Sequence, residues 1–384
     1  MCYSEPRVRA FLTFAFIALA GLVSACSVVP GQRMVTPPTV DETGGEYSKE
    51  PEQKVQVPIY DINLALIRKM NGQAGQQPLS PQLQGLFGKP APYEIGPGDV
   101  LQVTVWDHPE LAAALGQTAA GANRDADAGP GFLVDESGNI QFPYAGTVHV
   151  AGETVEQVQR KIYSRISKVY KSPEVTVRVA SFRSSQIYVD GEIGKPGAEQ
   201  INDIPMTLTQ AIGRAGGFSG NANQSQVTLV RGGTTYTINF NEVIQAGRSP
   251  NDIVLKPGDL VRVGSRDESG VYMMGEVNKP ATVMPMRNGK LTLAQAISEA
   301  GSINDNTAKA KQLFVIRDGA GTNPQVYHLD ATSPVSMVLA NQFELQPRDV
   351  VYIDNGALVK FNRVLNLLLP AVNAALTGAL VSKY

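Results

Sequence analysis

The chain has 384 residues with 33 basic and 35 acidic side chains, which gives a formal net charge of −2. This near-neutral balance excludes the strongly basic surface by which proteins bind nucleic acid, so no nucleic-acid partner is expected. The composition, with 43% apolar residues, 37 glycines and 25 prolines, favours several small β-rich domains over one large helical domain.

The first residues have the order of a secretory signal. A basic start, an apolar centre and small residues before a cysteine follow one another, as Arg7 and Arg9, Ala10 to Leu22, and Val23-Ser24-Ala25-Cys26. This order predicts a signal peptide over residues 1–25, which is too short to remain as a membrane span. An ordinary signal peptide that is cut nearby, with Cys26 incidental, is the alternative.

The small residues directly before Cys26 resemble the lipobox of bacterial lipoproteins. The resemblance implies cleavage between Ala25 and Cys26, a thioether-linked diacylglycerol on Cys26, and acylation of the new amine by a fatty acid such as palmitate. Covalent lipid is therefore the attached group that we expect, and no cofactor is predicted. Several acyl chains anchor a protein stably because each buried methylene contributes roughly 0.8 kcal/mol. Ser27, in place of an aspartate, favours sorting to the outer membrane by the same resemblance.

The cysteine count agrees with this interpretation. Of the two cysteines, Cys2 lies in the removed segment and Cys26 at the anchor, so the mature protein has no thiol pair. Its stability must come from hydrophobic cores, although the compartment permits disulfides. Removal of residues 1–25 leaves 31 basic and 34 acidic side chains, a net charge of −3.

Residues 26–92 are predicted to form a lipidated N-terminal tether, because Pro, Gly, Gln and charged residues predominate without a sustained period. One short helix is expected within the tether, from Ile59 to Met70, with Asp61 as its N-cap.

Residues 93–183 are expected to form an α+β domain. Val100 to Trp106 alternates as a strand does, and Thr154 begins a capping box with Gln157 ahead of apolar residues at helical spacing. Val175, Val177 and Val179 alternate as a further strand.

The rest of the chain repeats itself. Gly191-Glu192 followed by Lys195-Pro196 recurs as Gly275-Glu276 followed by Lys279-Pro280, an offset of 84. Other matches keep the same order, namely Thr207 to Ile212 with Thr292 to Ile297, Val227 to Arg231 with Leu313 to Arg317, and Leu255 to Val261 with Leu345 to Val351. Two copies of one domain are therefore predicted, over residues 184–266 and 267–356.

A Pro-x-Asp turn occurs once in each of the three domains and contains Asp99, Asp259 or Asp349. One hypothesis makes these aspartates a ligand set. The favoured alternative is that each carboxylate accepts a hydrogen bond from the backbone of its own turn.

Residues 357–384 are predicted to form a C-terminal transmembrane amphipathic helix. The 24 residues from Leu358 to Val381 reach roughly 36 Å as a helix, which exceeds a hydrocarbon layer of about 30 Å. At 100° per residue, its polar side chains lie within an arc of about 60°. These side chains are Asn362, Asn366, Asn373 and Thr377.

A single helix of this kind would expose asparagine amides to hydrocarbon, which is costly. A ring of identical helices would turn the polar stripe onto a water-filled lumen and the apolar face onto lipid. We therefore predict an oligomeric α-barrel whose pore is lined by Asn362, Asn366, Asn373 and Thr377, with a neutral wall that suits a hydrated carbohydrate. A lone tail anchor and a helix packed on the protein's own core are the alternatives.

The order of these motifs resembles the Wza-type family of outer-membrane polysaccharide exporters. The opening Tyr93-x-Ile95-Gly96-Pro97-Gly98-Asp99-Val100 looks like the polysaccharide-export signature, and the Gly-Glu-x-x-Lys-Pro repeats resemble the soluble-ligand-binding β-grasp modules of that family. The resemblance implies a multi-domain α+β fold in which residues 93–183 are the polysaccharide-export domain, residues 184–266 and 267–356 the tandem β-grasp repeats, and the C-terminal helices an α-barrel.

The resemblance also implies partners and a location. Proteins of this family form octameric rings in the outer membrane, with most of the chain in the periplasm and the C-terminus at the cell surface. They work with an inner-membrane polysaccharide copolymerase, often a tyrosine autokinase, and export capsular polysaccharide or exopolysaccharide. The name of the repeats assigns no sugar contacts to residues of this chain.

Two rival functions compete with export. An enzyme is disfavoured, because His108, His149 and His328 are isolated, Gly194-Lys195-Pro196 lacks the flanking residues of a phosphate loop, and no serine lies in a nucleophile elbow. No catalytic or metal-binding residue is therefore predicted. The second rival is a periplasmic sugar-binding or adaptor lipoprotein that forms no pore, and residues 357–384 discriminate it from an export channel.

Overall fold

The computed structural model describes residues 32, 34, 37–43, 51, 53–74, 79–108, 111, 131–317 and 324–356. The chain divides into two compact units. One unit contains the described parts of residues 1–75, 267–286 and 290–384, and the other contains those of residues 76–266 and 287–289. The predicted signal peptide, lipid site and C-terminal helix lie outside the described residues.

The elements are numbered in chain order. In the described residues the strands are β1 Thr39–Thr43, β2 Gln53–Gln56, β3 Ile59–Asp61, β4 Val100–Val105, β5 Phe132–Leu133, β6 Asn139–Phe142, β7 Gly146–His149, β8 Val175–Ser181, β9 Gln186–Gly191, β10 Gly197–Gln200, β11 Ala222–Arg231, β12 Thr234–Ile238, β13 Leu260–Ser265, β14 Val271–Gly275, β15 Ala281–Val283, β16 Ala308–Arg317, β17 Gln325–Leu329 and β18 Val350–Asn355. The α-helices are α1 Leu64–Ala74, α2 Pro81–Gln84, α3 Val155–Ile166, α4 Leu208–Arg214, α5 Phe240–Gln245, α6 Leu293–Glu299 and α7 Met337–Gln342.

The predicted α+β domain consists of a three-stranded antiparallel sheet in the order β5-β4-β8, a β6–β7 hairpin and helix α3. The predicted strands over Val100 to Trp106 and from Val175 are confirmed as β4 and β8. The backbone N–H of Thr154 donates to Oε1 of Gln157 at 2.8 Å, as a capping box requires. Every fourth residue of α3 faces the core, namely Val158, Ile162 and Ile166.

The two predicted repeats have the same topology. The first repeat is a five-stranded sheet in the order β10-β9-β13-β11-β12, and the second is a sheet in the order β15-β14-β18-β16-β17-β3. In each repeat, the first strand pairs in parallel with the closing strand, as β9 does with β13 and β14 with β18. Apart from β3, which the N-terminal segment adds to the second sheet, each repeat has five strands, and their other pairs are antiparallel. The tandem duplication expected from the sequence is thus confirmed.

The short helix of each repeat begins where the sequence predicts. Thr207 and Thr292 are the N-caps of α4 and α6, and each hydroxyl accepts a hydrogen bond from the backbone N–H of the glutamine three residues later. Leu208, Ala211 and Ile212 of the first repeat are buried, as are the corresponding residues of the second. These helices therefore pack their apolar side on the inner face of each sheet.

The predicted helix over Ile59 to Met70 is wrong at its start. Residues 59–61 form strand β3, which pairs in parallel with β17, and α1 begins only at Leu64. Oδ1 of Asn63, rather than Asp61, accepts the capping hydrogen bond, from the backbone N–H of Leu66 at 2.9 Å. Pairing with a strand distant in sequence overrides the local helical pattern here.

The glycine of each Gly-Glu-x-x-Lys-Pro motif is required by a close backbone approach. Gly191 has φ +89° and Gly275 has φ +84°, in the left-handed region that favours glycine. A Cβ atom at either position would overlap the carbonyl oxygen of Val263 or of Ile353, both in the closing strands. The following glutamates donate their backbone N–H groups to the same two oxygens at 3.0 Å.

We therefore expect Gly191→Ala to lower the free energy of unfolding by at least about 2 kcal/mol, because it adds both backbone strain and a steric overlap. Gly213→Ala is the matched control in the same repeat, because Gly213 lies in α4 with no atom within 4 Å of its added Cβ. Urea denaturation of both variants would measure the difference. Equal stability of the two variants would contradict the backbone explanation of the motif.

Candidate functional site

The residues predicted to carry function at the two ends of the chain lie outside the described residues. These are Ala25 and Cys26 at the predicted lipid site, and Asn362, Asn366, Asn373 and Thr377 in the predicted pore. Within the part of the chain that the structure describes, no helix is both long and apolar enough to cross a membrane. The structure does show how the domain cores are fixed and where the N-terminal segment is bound.

In the α+β domain, the Pro-x-Asp turn is held by one fully buried carboxylate. Asp99 accepts hydrogen bonds from the backbone N–H of Gly96 at 3.0 Å and of Arg183 and Ser184 at 2.8 Å each. The hydroxyls of Tyr93 and Ser184 donate to its second oxygen at 2.7 and 3.0 Å. Burial raises the pKa of the Tyr93 phenol above its ordinary value, and the neighbouring Asp99 carboxylate raises it further, so Tyr93 remains a donor.

The corresponding aspartates of the two repeats bind their own turns in the same way. Asp259 accepts from the backbone N–H of Lys256 at 2.7 Å, and Asp349 accepts from that of Gln346 at 2.8 Å. The interpretation of these aspartates as turn-binding side chains is confirmed. Each carboxylate is only 1% exposed.

Both repeats place an arginine on that buried carboxylate, which the sequence interpretation missed. Nη2 of Arg231 lies 2.6 Å from Oδ2 of Asp259, and Nη2 of Arg317 lies 2.8 Å from Oδ2 of Asp349. In each repeat, Nε of the same arginine donates to Oδ1, which makes the pair bidentate. The sequence does contain a signal for this pair. The matched segments Val227 to Arg231 and Leu313 to Arg317 both end in an arginine.

A segment that we name the N-terminal strap covers the outer face of the second repeat. It consists of the described residues between Gln32 and Asp61. The Tyr352 hydroxyl of β18 donates to the carbonyl oxygen of Gln32 at 2.6 Å. Beside this bond, Val57 of the strap forms a buried cluster with sheet residues Phe314, Val326 and Tyr352. Although the sequence predicted a tether here, this segment contributes a strand and a cluster to the second repeat.

A hydrogen bond holds the C-terminal end of the strap to the same sheet. Nδ1 of His328 on β17 lies 2.7 Å from Oδ1 of Asp61 on β3, and Nε2 lies 2.8 Å from the carbonyl oxygen of Lys311. Each ring nitrogen of His328 therefore faces an oxygen atom, and the ring links β3 of the strap to β17.

The outer sheet faces of the two repeats differ in a way that explains why the strap binds the second. The strand registers align Phe314, Val326 and Tyr352 of the second repeat with polar residues of the first, namely Thr228, Thr235 and Arg262. Three large apolar side chains on an outer sheet face require a cover, whereas threonine and arginine do not. The strap therefore covers an apolar cluster whose three positions are polar in the first repeat.

We expect Asp349→Ala to destabilise the second repeat by roughly 3–5 kcal/mol, because it leaves the buried Arg317 charge without its partner. Glu344→Gln is the control, since Glu344 and Lys290 form a salt bridge whose side chains are 55% and 48% exposed, and it should cost at most about 1 kcal/mol. Thermal and urea denaturation would measure both. Similar losses would contradict the structural role of the buried pair.

Phe314→Thr, which places the first repeat's residue in the second, should loosen the strap. Loss of the ring from the buried cluster should raise amide hydrogen exchange over residues 53–61 by at least about tenfold. Thr228→Ser in the first repeat is the control and should leave exchange in this segment unchanged. Unaltered protection of the segment in Phe314→Thr would show that the cluster does not hold the strap.

Comparisons with known protein families agree with this architecture. Residues 88–180 match the family model described as polysaccharide biosynthesis/export protein, and residues 185–263 and 269–353 each match the SLBB domain. The α+β domain and both repeats are therefore each matched by a family model.

Curated relatives match over most of the chain. It is 40% identical over 393 residues to the EPS I polysaccharide export outer membrane protein EpsA of Ralstonia nicotianae, with 100% of both chains covered. It is 25% identical to the capsule polysaccharide export protein BexD of Haemophilus influenzae, over 92% of this chain and 93% of the relative. The Vi polysaccharide export protein VexA/TviF of Salmonella typhi is 26% identical over 70% of this chain and 76% of its own. The chain therefore belongs to the Wza-type family of polysaccharide export proteins.

Proposed function

We propose that copies of this chain form an outer-membrane channel that exports capsular polysaccharide or exopolysaccharide from the periplasm to the cell surface. The observation that carries the proposal is the 40% identity to a polysaccharide export outer membrane protein over the full length of both chains. Such an alignment includes the terminal segments as well as the domains, so the comparison applies to the whole architecture. The relatives are named as export proteins, and we propose no catalytic step.

In this proposal the chain is attached to the outer membrane twice, by lipid on Cys26 and by residues 357–384. The contact between the strap and β18 supports attachment of both segments to the same membrane. Gln32 lies six residues after Cys26, and Leu358 lies six residues after Tyr352, to which Gln32 is hydrogen-bonded. Because an extended chain spans at most about 3.6 Å per residue, each six-residue connection reaches at most about 22 Å. Both attachments therefore originate within a short distance of one side chain of the second repeat.

The pore in this proposal is a barrel of C-terminal helices. Asn362, Asn366, Asn373 and Thr377 would line the lumen, and the opposite, apolar side of each helix would contact lipid. Neutral amides can exchange hydrogen bonds with a hydrated carbohydrate, and they neither hold an acidic polymer strongly nor repel it. The C-terminus would lie at the cell surface, and the α+β domain and the repeats in the periplasm.

The partners follow from the family resemblance. We propose self-association into a ring, with eight copies as in related exporters, and contact with an inner-membrane copolymerase that can be a tyrosine autokinase. The relatives are named as exporters of EPS I, capsule and Vi polysaccharide, which supports a polysaccharide as the transported partner.

Replacement of the four polar stripe residues by leucine should abolish export, because an apolar lumen expels water and the hydrated polymer. The matched control substitutes leucine on the opposite side of the helix, at Val364, Ala371, Ala375 and Ala379. Surface polysaccharide, measured with antibody on intact cells, should fall to background in the stripe variant and remain in the control.

The amount of each variant in the outer-membrane fraction must be equal for this comparison. Undiminished surface polymer in the stripe variant would contradict the pore. Export that persists after deletion of residues 357–384 would favour the adaptor hypothesis instead.

A further inference from the structure

Three aromatic rings meet at one end of the α+β domain, although they come from separate segments. His108 follows β4, Tyr144 lies in the β6–β7 turn, and Tyr170 follows α3. The ring centroids of His108 and Tyr170 are 4.2 Å apart, and those of Tyr144 and Tyr170 are 5.4 Å apart at an interplanar angle of 89°. We name these three residues the aromatic platform.

The platform is open to solvent at its outer ring. Tyr144 is 62% exposed, whereas His108 and Tyr170 are partly buried. Single exposed aromatic residues are common on protein surfaces, but Tyr144 belongs to a cluster whose other two rings are only partly buried.

The backbone near each ring is strained. Non-glycine residues with positive φ occur in the described part of this domain at Asp107 with φ 63°, at Tyr144 with φ 60°, and at Ser172 with φ 53°. Asp107 precedes the first ring, Tyr144 carries the second, and Ser172 lies two residues after the third. Tyrosine rarely adopts the left-handed conformation, and such strain gathers at sites that hold a ligand. This backbone strain is independent of the ring contacts and points to the same place.

The chemistry of the platform matches a sugar ring. One face of a pyranose presents C–H groups that pack on an aromatic face, while its hydroxyls need donors and acceptors at the edge. The Tyr144 ring supplies an apolar face with a hydroxyl, and Tyr170 is flanked in sequence by the exposed cations Lys168 and Lys171.

We infer that the aromatic platform binds pyranose rings of the exported polysaccharide. This inference rests on the proposed function, because it takes the transported polymer as the ligand. Tyr144 is the residue that contacts the sugar, and Tyr170 positions its ring. The platform thereby gives the α+β domain a direct contact with the polymer.

The test uses Tyr144→Asn in the full chain, purified in mild detergent. Asparagine tolerates positive φ, so this variant removes the ring without changing the turn. Tyr144→Phe keeps the ring, and Tyr163→Ala removes another exposed tyrosine, on α3 of the same domain. Affinity electrophoresis in gels that contain exopolysaccharide purified from the producing cells would measure the apparent dissociation constant.

We expect Tyr144→Asn to raise the dissociation constant about three- to tenfold. Tyr144→Phe should raise it by less, because it keeps the ring and loses only the hydroxyl, and Tyr163→Ala should leave it unchanged. Equal binding by Tyr144→Asn and wild type would overturn the inference, as would a wild-type chain that shows no retardation. Loss of ring assembly in Tyr144→Asn with unchanged polymer binding would assign the platform to subunit contact and would also overturn it. Surface polymer in the stripe variants tests the export channel separately, so failure of the platform and failure of the channel are distinguishable.

Discussion

A buried carboxylate directly before one strand is the constraint on which all three domains depend. Asp99, Asp259 and Asp349 are each at most 1% exposed, and each precedes a strand in the interior of its sheet. A buried charge without partners is strongly destabilising, so the surroundings of these carboxylates are fixed by the need to satisfy them. The repeats do so with Arg231 and Arg317, and the α+β domain does so with backbone N–H groups and two hydroxyls.

The position of the closing strand determines how the outer face of the second repeat is built. Because Asp349 fixes the start of β18, it also fixes Tyr352 on the outer face. Arg317 lies over the rings of Tyr327 and Phe343, at 5.2 and 5.5 Å from their centroids, and so ties the ion pair to the hydrophobic core. The strap then binds a face whose geometry these interactions have already set.

Much of this fold could be predicted from the sequence because its signals are local or repeated. The capping boxes at Thr207 and Thr292, the apolar period of α3 and the ordered matches between the repeats each lie within short segments. The strap could not be predicted in this way. Strand β3 has three residues and exists because it pairs with β17, and Asp61 bonds to His328, 267 residues away.

The other contacts that the sequence did not predict also join residues that are distant in sequence. Arg231 and Arg317 recur at matched positions of the two repeats, but the sequence does not indicate their partner, because only the folded sheet places each of them beside an aspartate. The aromatic platform likewise gathers residues from three separate turns. The apolar face under the strap could have been predicted from the sequence, because alignment of the repeats matches Phe314 with Thr228 and Tyr352 with Arg262.

The motif that most clearly identifies the repeats performs a structural task in both of them. In Gly-Glu-x-x-Lys-Pro, the glutamate N–H bonds to the closing strand, and the lysine N–H bonds to the end of the helix, at Ala215 or Ala300. A motif whose backbone is engaged in this way recurs because the fold needs it, so it is a weak guide to where sugar binds. Contact with the polymer is better sought where the domains differ from one another, and the aromatic platform occurs in the α+β domain, outside the duplicated pattern.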